Sequence, residues 1–289
     1  MAERDRAEFN VLDVRIRSFM LEVTTVVECR INCRFCPQKI FLSAYKSPKR
    51  TLSFEDFKKA LDKIPEDVII IFAGFAEPYL NKDCTKMLLH AHKKGHPVSI
   101  FTTGTGMTLE DVALIKDIPF HSFPHGGFVL HLPDDEGFAN IKIDDTYLQV
   151  LQSLKEAGIQ NFRPISMGSV HGSIRHIFPR DTVKKQEMNS RAGNLNNESL
   201  SASYASRYHK TDVICGRDEY LYNNVMLPNG DIVLCCQDYG MKHILGNIYE
   251  KTYEEIVPDP LASYELCKNC TRAIELPINF PKFRLEKKR

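Results

Sequence analysis

Phe19-Met-Leu-Glu-Val-Thr-Thr-Val-Val27 runs into Cys29-Arg-Ile-Asn-Cys33-Arg-Phe-Cys36. The apolar, β-branched run predicts a buried strand, and the cysteines then form a tight loop at its end. The three thiols fall within eight residues, separated by three and then two residues. That spacing suits a cubane iron–sulfur cluster, because soft thiolates favour such assemblies and a short loop can wrap three corners of a cube. Structural zinc normally takes four ligands in two paired sets, and this neighbourhood offers three. The fourth iron of such a cluster stays open, a place for a small molecule to bind and react.

The remainder of the chain bounds the setting. Its 289 residues suit one large domain or a barrel with an appendage. Lys and Arg number 38 against 37 Asp and Glu, so no bulk charge pulls the protein toward nucleic acid or an anionic membrane, and neither is expected as a partner. No run of 18 apolar residues and no secretory segment near Met1 is present, which predicts a cytoplasmic protein. Nine cysteines in a reducing compartment argue for metal ligation over disulfides.

In chain order, residues 1–17 read as an extension. Ser53 caps a helix over 53–61, and strand 68–72, helix 82–94, strand 98–101, helix 108–117, strand 127–132, helix 144–157 and strand 160–166 follow. Such alternation predicts βαβ units and a parallel sheet, closed or partly closed into a barrel, with ligands at the carboxyl ends of the strands. At those ends stand Gly74-Phe-Ala76-Glu77-Pro78, Thr102-Thr103-Gly104 and His131, and Arg163 lies on the 160–166 strand. Arg163 holds a carboxylate if it points into the barrel mouth and is merely solvated if it points out. Residues 180–212 turn polar, as a linker does, and Ser190-Arg191-Ala-Gly193-Asn194-Leu195 within them reads as an ordered turn folding over the barrel mouth or as mobile polar linker.

The cysteines return as Cys215, Cys235 and Cys267-Lys-Asn-Cys270. Pro228-Asn229-Gly230-Asp231 signals a hairpin turn that aims Cys235 from a strand end. Four thiolates at this spacing fit a second cubane or a zinc ion equally well. Cys84 reads as a buried apolar residue. Cys236 points opposite Cys235 by strand alternation, and Asp238 reads as a base or a turn residue.

The cysteine loop, with Phe35 before its last thiol, resembles the signature of the radical S-adenosylmethionine (radical SAM) enzymes. The resemblance implies a partial (β/α)6 TIM-like barrel over residues 18–180, a polar linker over 181–212 and a small domain for an auxiliary cluster over 213–289. It implies that Cys29, Cys33 and Cys36 hold a [4Fe–4S] cluster whose open iron binds S-adenosylmethionine, with Phe35 beside the adenine. Gly74, Ala76 and Glu77 resemble the family's glycine-rich segment for the cofactor's amino group, with Ala76 where a second glycine is usual. Thr103 resembles the end of the third strand, and His131 is a further candidate cofactor contact. Cys215, Cys235, Cys267 and Cys270 resemble the ligands of the auxiliary [4Fe–4S] cluster in SPASM and the shorter twitch domains.

The activity implied is radical abstraction of a substrate hydrogen by a 5′-deoxyadenosyl radical, fed by an electron donor such as flavodoxin or ferredoxin. Two outcomes follow from that step. One is oxidation of a small polyol, sugar or aminocyclitol with the auxiliary cluster as electron acceptor; the other is epimerisation of a sugar or peptide with Cys236 returning a hydrogen. Asp238, Cys236 and Arg163 are the candidate catalytic residues. The short opening segment leaves no room for a leader-binding domain, which weighs against a peptide substrate. A non-catalytic, metal-stabilised binding module is the expectation of another class.

Overall fold

The computed structural model describes residues 19–122, 126–195, 208–215, 223–256 and 264–275, so the expected 1–17 extension lies outside the described residues. The elements are β1 (Met20–Val23), α1 (Gln38–Ala44), α2 (Phe54–Leu61), β2 (Ile69–Phe72), α3 (Cys84–Lys93), β3 (Val98–Thr102), α4 (Leu109–Ile115), β4 (Phe128–His131), α5 (Asp145–Glu156) and β5 (Phe162–Ser166). They continue as β6 (Lys184–Lys185), β7 (Val213–Cys215), β8 (Asn224–Met226), β9 (Asp231–Val233), β10 (Ile244–Asn247), α6 (Glu265–Lys268) and β11 (Ala273–Glu275). Strands β1 to β6 are parallel and adjacent in sequence order, an open α/β sheet of the partial TIM-like kind. Among the described residues no helix is long and apolar enough to cross a membrane.

The local sequence accounts for the crossovers. Ser53 accepts the Asp56 amide at 3.1 Å to start α2, Thr108 and Asp111 form a reciprocal capping box on α4, and Asp144 accepts the Tyr147 amide at 3.0 Å to start α5. The apolar stripes of α2 to α5, including Phe57, Leu88, Val112 and Leu151, pack on Leu21, Ile70, Phe72, Ile100 and Leu130 of the sheet. Each fully buried side chain of this size stabilises the fold by about 1.5–3 kcal/mol. The strands' other face turns inward. Period-two alternation and the register Phe101↔Val129↔Arg163 and His131↔Ile165 carry Glu22, Phe101, Val129, His131, Arg163 and Ile165 to one cavity.

Four features differ from the sequence expectation. The sixth strand, Lys184–Lys185, lies inside the segment assigned to the linker, because an exposed two-residue strand has no apolar period to read. Between β5 and β6 run 3₁₀ turns at Gly172–Ile174 and Arg180–Thr182 in place of a sixth α-helix. Pro164 presents no N–H to the β6 side, and β6 pairs only with Ile165 and Ser166 beyond it. Helix α1 follows the cysteine loop without a side-chain cap, so no start signal announced it. Finally, β8 pairs in parallel with β1, so the C-terminal hairpin continues the barrel's sheet in the order β10-β9-β8-β1-β2-β3-β4-β5-β6.

Candidate active site

The cysteine loop is pinned at both flanks. The Val27 amide donates to Arg50 O at 2.7 Å, and the Arg34 amide donates to Phe138 O at 2.8 Å. The latter turn is itself held by Asp134, whose carboxylate accepts the Phe138 and Ala139 amides at 2.8 and 3.0 Å. Glu28 and Asn32 adopt φ of 84° and 53°, the left-handed conformation that lets so short a segment curl. Cys29, Cys33 and Cys36 are thereby directed into one cavity of about 940 Å³. Burial, and then the neighbouring Cys36 and Cys29, push the Cys33 thiol up to about 12, and burial also raises Cys29 and Cys36. Three thiolates can share this place only if cationic metal neutralises them, and the donor set is one that iron favours.

Opposite the loop, Gly74 takes φ +78°, and a Cβ there would stand 2.2 Å from Thr24 Oγ1. Its amide donates to Glu22 Oε2 at 3.2 Å, and the Phe75 amide donates to Thr24 Oγ1 at 3.2 Å. Ala76 is absent from the positive-φ residues, so a methyl group is accommodated where the family pattern has a second glycine. Glu77 is buried at the cavity wall and accepts four hydrogen bonds, from the Thr102 hydroxyl (2.5 Å), the Tyr79 amide (3.2 Å), and the Thr103 amide and hydroxyl (2.6 and 2.8 Å). Burial raises its pKa against those donors, and among the described residues no Lys or Arg is paired with it. A ligand that brings a cationic group fits this carboxylate.

Phe35 stacks on His131 with centroids 5.0 Å apart and planes 8° from parallel. Burial pushes the His131 imidazole down to about 4, with Arg191 adding to the effect, so the ring is neutral; its Nε2 is buried with no hydrogen-bond partner among the described residues. Arg163 lines the cavity from the second residue of β5 and donates Nη1 at 3.1 Å to Gly126 O, just before β4, so it faces inward but toward the strands' amino ends. The turn at 190–195 is ordered: the Leu195 amide reaches Ser190 O at 3.0 Å, and Asn194 Nδ2 spans from Arg191 O (2.8 Å) to Gln237 O (2.9 Å). It sets Arg191 over the mouth, with Nε 3.4 Å from Phe35 O.

The C-terminal cysteines gather through the small β7–β11 sheet, where Cys215 pairs with Ala273, and through the β8–β9 hairpin that presents Cys235. Gly230 closes that hairpin at φ +90°, where a Cβ would stand 2.4 Å from the Tyr249 ring. Burial and the adjacent Cys215 and Cys270 push Cys267 up to about 12, and burial with Cys215 also raises Cys270. A hydrogen bond with Cys236, burial, and the charges of Cys236 and Cys215 hold Cys235 well above the ordinary thiol range. Among the described residues no three His, Cys, Asp or Glu side chains close around a point for a single metal ion. A cluster, which offers a separate iron to each ligand, asks less convergence of them.

Two candidates part company here. Cys236, 9% exposed, lines the cavity and hydrogen-bonds with Cys235. Asp238 does not line it: the carboxylate is 1% exposed and accepts the Lys242 amide (3.1 Å), the His243 amide (2.8 Å) and a bond with His243 Nδ1 (3.1 Å). Of the two sequence readings of Asp238, base or turn residue, these contacts are those of a turn residue. Sequence reasoning missed Glu22, whose in-strand carboxylate accepts from Gly74 N and Asn223 Nδ2 (2.8 Å), and Arg191 as a cavity cation. Glu22 is a lone charge in an apolar strand, and that was the available signal.

The Radical SAM superfamily model matches residues 23–174, just over half of the chain. The chain belongs to the radical SAM superfamily. A second model, an iron–sulfur cluster-binding domain named SPASM, matches residues 215–271. Radical SAM domains carry a [4Fe–4S] cluster and S-adenosylmethionine, and the SPASM domain implies auxiliary iron–sulfur chemistry. No curated protein sequence matches the chain. The fold is similar to that of BtrN in complex with AdoMet and 2-DOIA, at 17% identity and a TM-score of 0.58, over 88% of this chain and 92% of that one. It is also similar to anSMEcpe with bound AdoMet (13% identity, TM-score 0.52, 87% and 82% of the chains). Streptococcus suis SuiB bound to its precursor peptide SuiA is a third such structure (15% identity, TM-score 0.51, 89% and 71%). At these identities the likeness concerns the fold.

Proposed function

We propose that this radical SAM enzyme dehydrogenates a small polyol, sugar or aminocyclitol bound in the 940 Å³ cavity. Cys29, Cys33 and Cys36 are assigned to the first [4Fe–4S] cluster, and Cys215, Cys235, Cys267 and Cys270 to the auxiliary one. When bound, these groups and S-adenosylmethionine supply a 5′-deoxyadenosyl radical that removes a substrate hydrogen atom, and an acceptor for the second electron. Glu77, Thr103 and the Gly74–Ala76 backbone orient the cofactor's amino end, the carboxylate balancing its ammonium. Phe35, stacked on His131, lies beside its adenosyl part, and Arg163 orients a polar substrate group across the cavity. The electron enters from a carrier such as flavodoxin or ferredoxin.

The observation that carries the oxidative reading is that one residue separates the two sites. Cys236 lines the cavity and its thiol is hydrogen-bonded to Cys235 of the auxiliary set, so an electron leaving the substrate has a short route to the second cluster. The same observation favours a second reading, epimerisation, with the Cys236 thiol returning a hydrogen atom to the substrate radical. Reconstituted protein, reductant and S-adenosylmethionine in heavy water, incubated anaerobically with host metabolites beside a Cys29/Cys33/Cys36→Ala variant, separates them by mass spectrometry. A metabolite lighter by two hydrogens supports oxidation. One that gains a single deuterium at unchanged composition supports epimerisation, and no 5′-deoxyadenosine above the variant would overturn both.

A further inference from the structure

Among the three N-terminal cysteines, one is singled out by its side-chain neighbours. Cys36 Sγ lies 3.4 Å from Gln38 Oε1 and 3.8 Å from the Tyr239 hydroxyl. The donors that face Cys29 and Cys33 are backbone amides, at Ile31, Glu77 and Asn32 for the first and at Asn140 for the second. Gln38 and Tyr239 are 4% and 3% exposed, so neither is positioned by chance at a solvated surface. Tyr239 is wedged against Phe75 with centroids 4.8 Å apart, and Phe75 in turn against Phe41 at 4.7 Å.

The protonation state of Cys36 decides how these neighbours act. A thiol can donate to Gln38 Oε1, but a thiolate ligand can only accept. Gln38 Nε2 is buried with no hydrogen-bond partner among the described residues. Turning the amide over exchanges its two ends without moving the side chain, places Nε2–H against the sulfur and satisfies the orphaned donor in the same step. The Tyr239 hydroxyl likewise donates once the sulfur is a thiolate. The structure thus holds two directed donors for one metal-ligating sulfur, and the Arg191 guanidinium adds a positive charge within electrostatic range.

We propose that Gln38 and Tyr239 form a two-donor clamp on the Cys36 sulfur that raises the reduction potential of the cluster assigned to Cys29, Cys33 and Cys36. This rests on that assignment. Reduction adds one electron to the oxidised cubane, and the added negative charge spreads onto the sulfurs. Donors aimed at a sulfur therefore bind the reduced state more tightly than the oxidised one. Tyr239 is not on the barrel. It belongs to the turn after Cys235, in which the Asp238 amide donates to Cys235 O at 2.9 Å and the Met241 amide to Asp238 O at 2.9 Å, and which the Asp238 carboxylate staples to residues 242 and 243. The C-terminal cysteine region so places a positioning residue on the ligand of the N-terminal cluster.

The test is a redox titration of the reconstituted holoenzyme with dithionite and mediators. It follows the reduced-cluster EPR signal that changes shape when S-adenosylmethionine is added, which separates the first cluster from the auxiliary one. Tyr239→Phe and Gln38→Leu are each expected to keep the full iron content and to lower the ratio of reduced to oxidised cluster at fixed poise. The expected fall is about tenfold, equal to 59 mV for a one-electron couple. Tyr45→Phe, which removes a hydroxyl from the same cluster of aromatic rings but bonds Lys49 O and no sulfur, is expected to leave the ratio unchanged. Unchanged potentials in both Tyr239→Phe and Gln38→Leu, with the signal present, would overturn the clamp and leave the cluster assignment standing. A shift in Tyr45→Phe equal to theirs would overturn it too, by showing that packing and not sulfur bonding sets the potential. A wild-type protein with no signal responsive to S-adenosylmethionine would overturn the assignment itself.

Discussion

Replacing Gly74 by Ala tests the geometry on which the cofactor assignment depends. Two terms add. The residue sits at φ +78°, and holding an L-residue with a Cβ in that region costs about 1–2 kcal/mol. The new Cβ would also stand 2.2 Å from Thr24 Oγ1. Thr24 is fully buried and stiff at χ1, so its hydroxyl can yield only by abandoning the Phe75 amide it accepts from, and a buried unsatisfied N–H costs about 1–3 kcal/mol. The sum, about 2–5 kcal/mol, is a large fraction of a typical domain's stability. Relief by shifting the loop instead displaces the Glu77 end of the same segment, and S-adenosylmethionine should then bind at least about tenfold more weakly, the equivalent of about 1.4 kcal/mol. Anaerobic urea denaturation and equilibrium dialysis with labelled cofactor read the two effects. Ala76→Gly is the control, costing about 0.5–1 kcal/mol of backbone entropy with affinity kept. If Gly74→Ala matched that control in both assays, the confinement of this backbone by Thr24 would be wrong.

Further outcomes follow from the same contacts. Glu77→Gln puts an NH₂ where one carboxylate oxygen now accepts both Thr103 donors, so cofactor affinity should drop by more than about tenfold, and an affinity equal to wild type would remove Glu77 from the site. Cys267→Ala with Cys270→Ala should lower the iron content by about half while the EPR response to S-adenosylmethionine persists; loss of that response would show that the two cysteine sets share one cluster. Asp238→Asn should destabilise the protein by about 1.5–3 kcal/mol through weaker bonds to the 242–243 amides, with turnover per folded molecule retained; a large loss of turnover in fully folded protein would restore Asp238 as the base. His96 is buried with Nδ1 3.2 Å from Val68 O, and burial holds its pKa below the ordinary 6.5. The unfolded chain therefore takes up a proton first as pH falls through 6.5, and stability is lost below that value. His96→Gln should shrink the difference in urea stability between pH 7.5 and 6 by up to about 1 kcal/mol, whereas an unaltered difference would mean that His96 is not held neutral.

The sequence by itself determined the chemistry and most of the frame. Thiol spacing is a local property, so Cys29, Cys33 and Cys36 on one loop needed no tertiary information, and the strand and helix periods of residues 20–166 follow from burial repeating at two and 3.6 residues. Turn chemistry was equally local, as at Gly230, whose backbone closes the β8–β9 hairpin. What only the tertiary structure decided depends on register and on contacts distant in the chain. Whether Arg163 faces in or out is set by its pairing with Val129, and whether Asp238 is a base or a staple is set by the amides of Lys242 and His243. The exposed β6 carried no apolar signal, and the docking of β8 beside β1 joins residues about 200 apart. The approach of Tyr239 to Cys36 follows from that docking. A linear pattern records which side a residue prefers, but two elements whose apolar faces are equally satisfied alone or together leave no trace in it of where they meet.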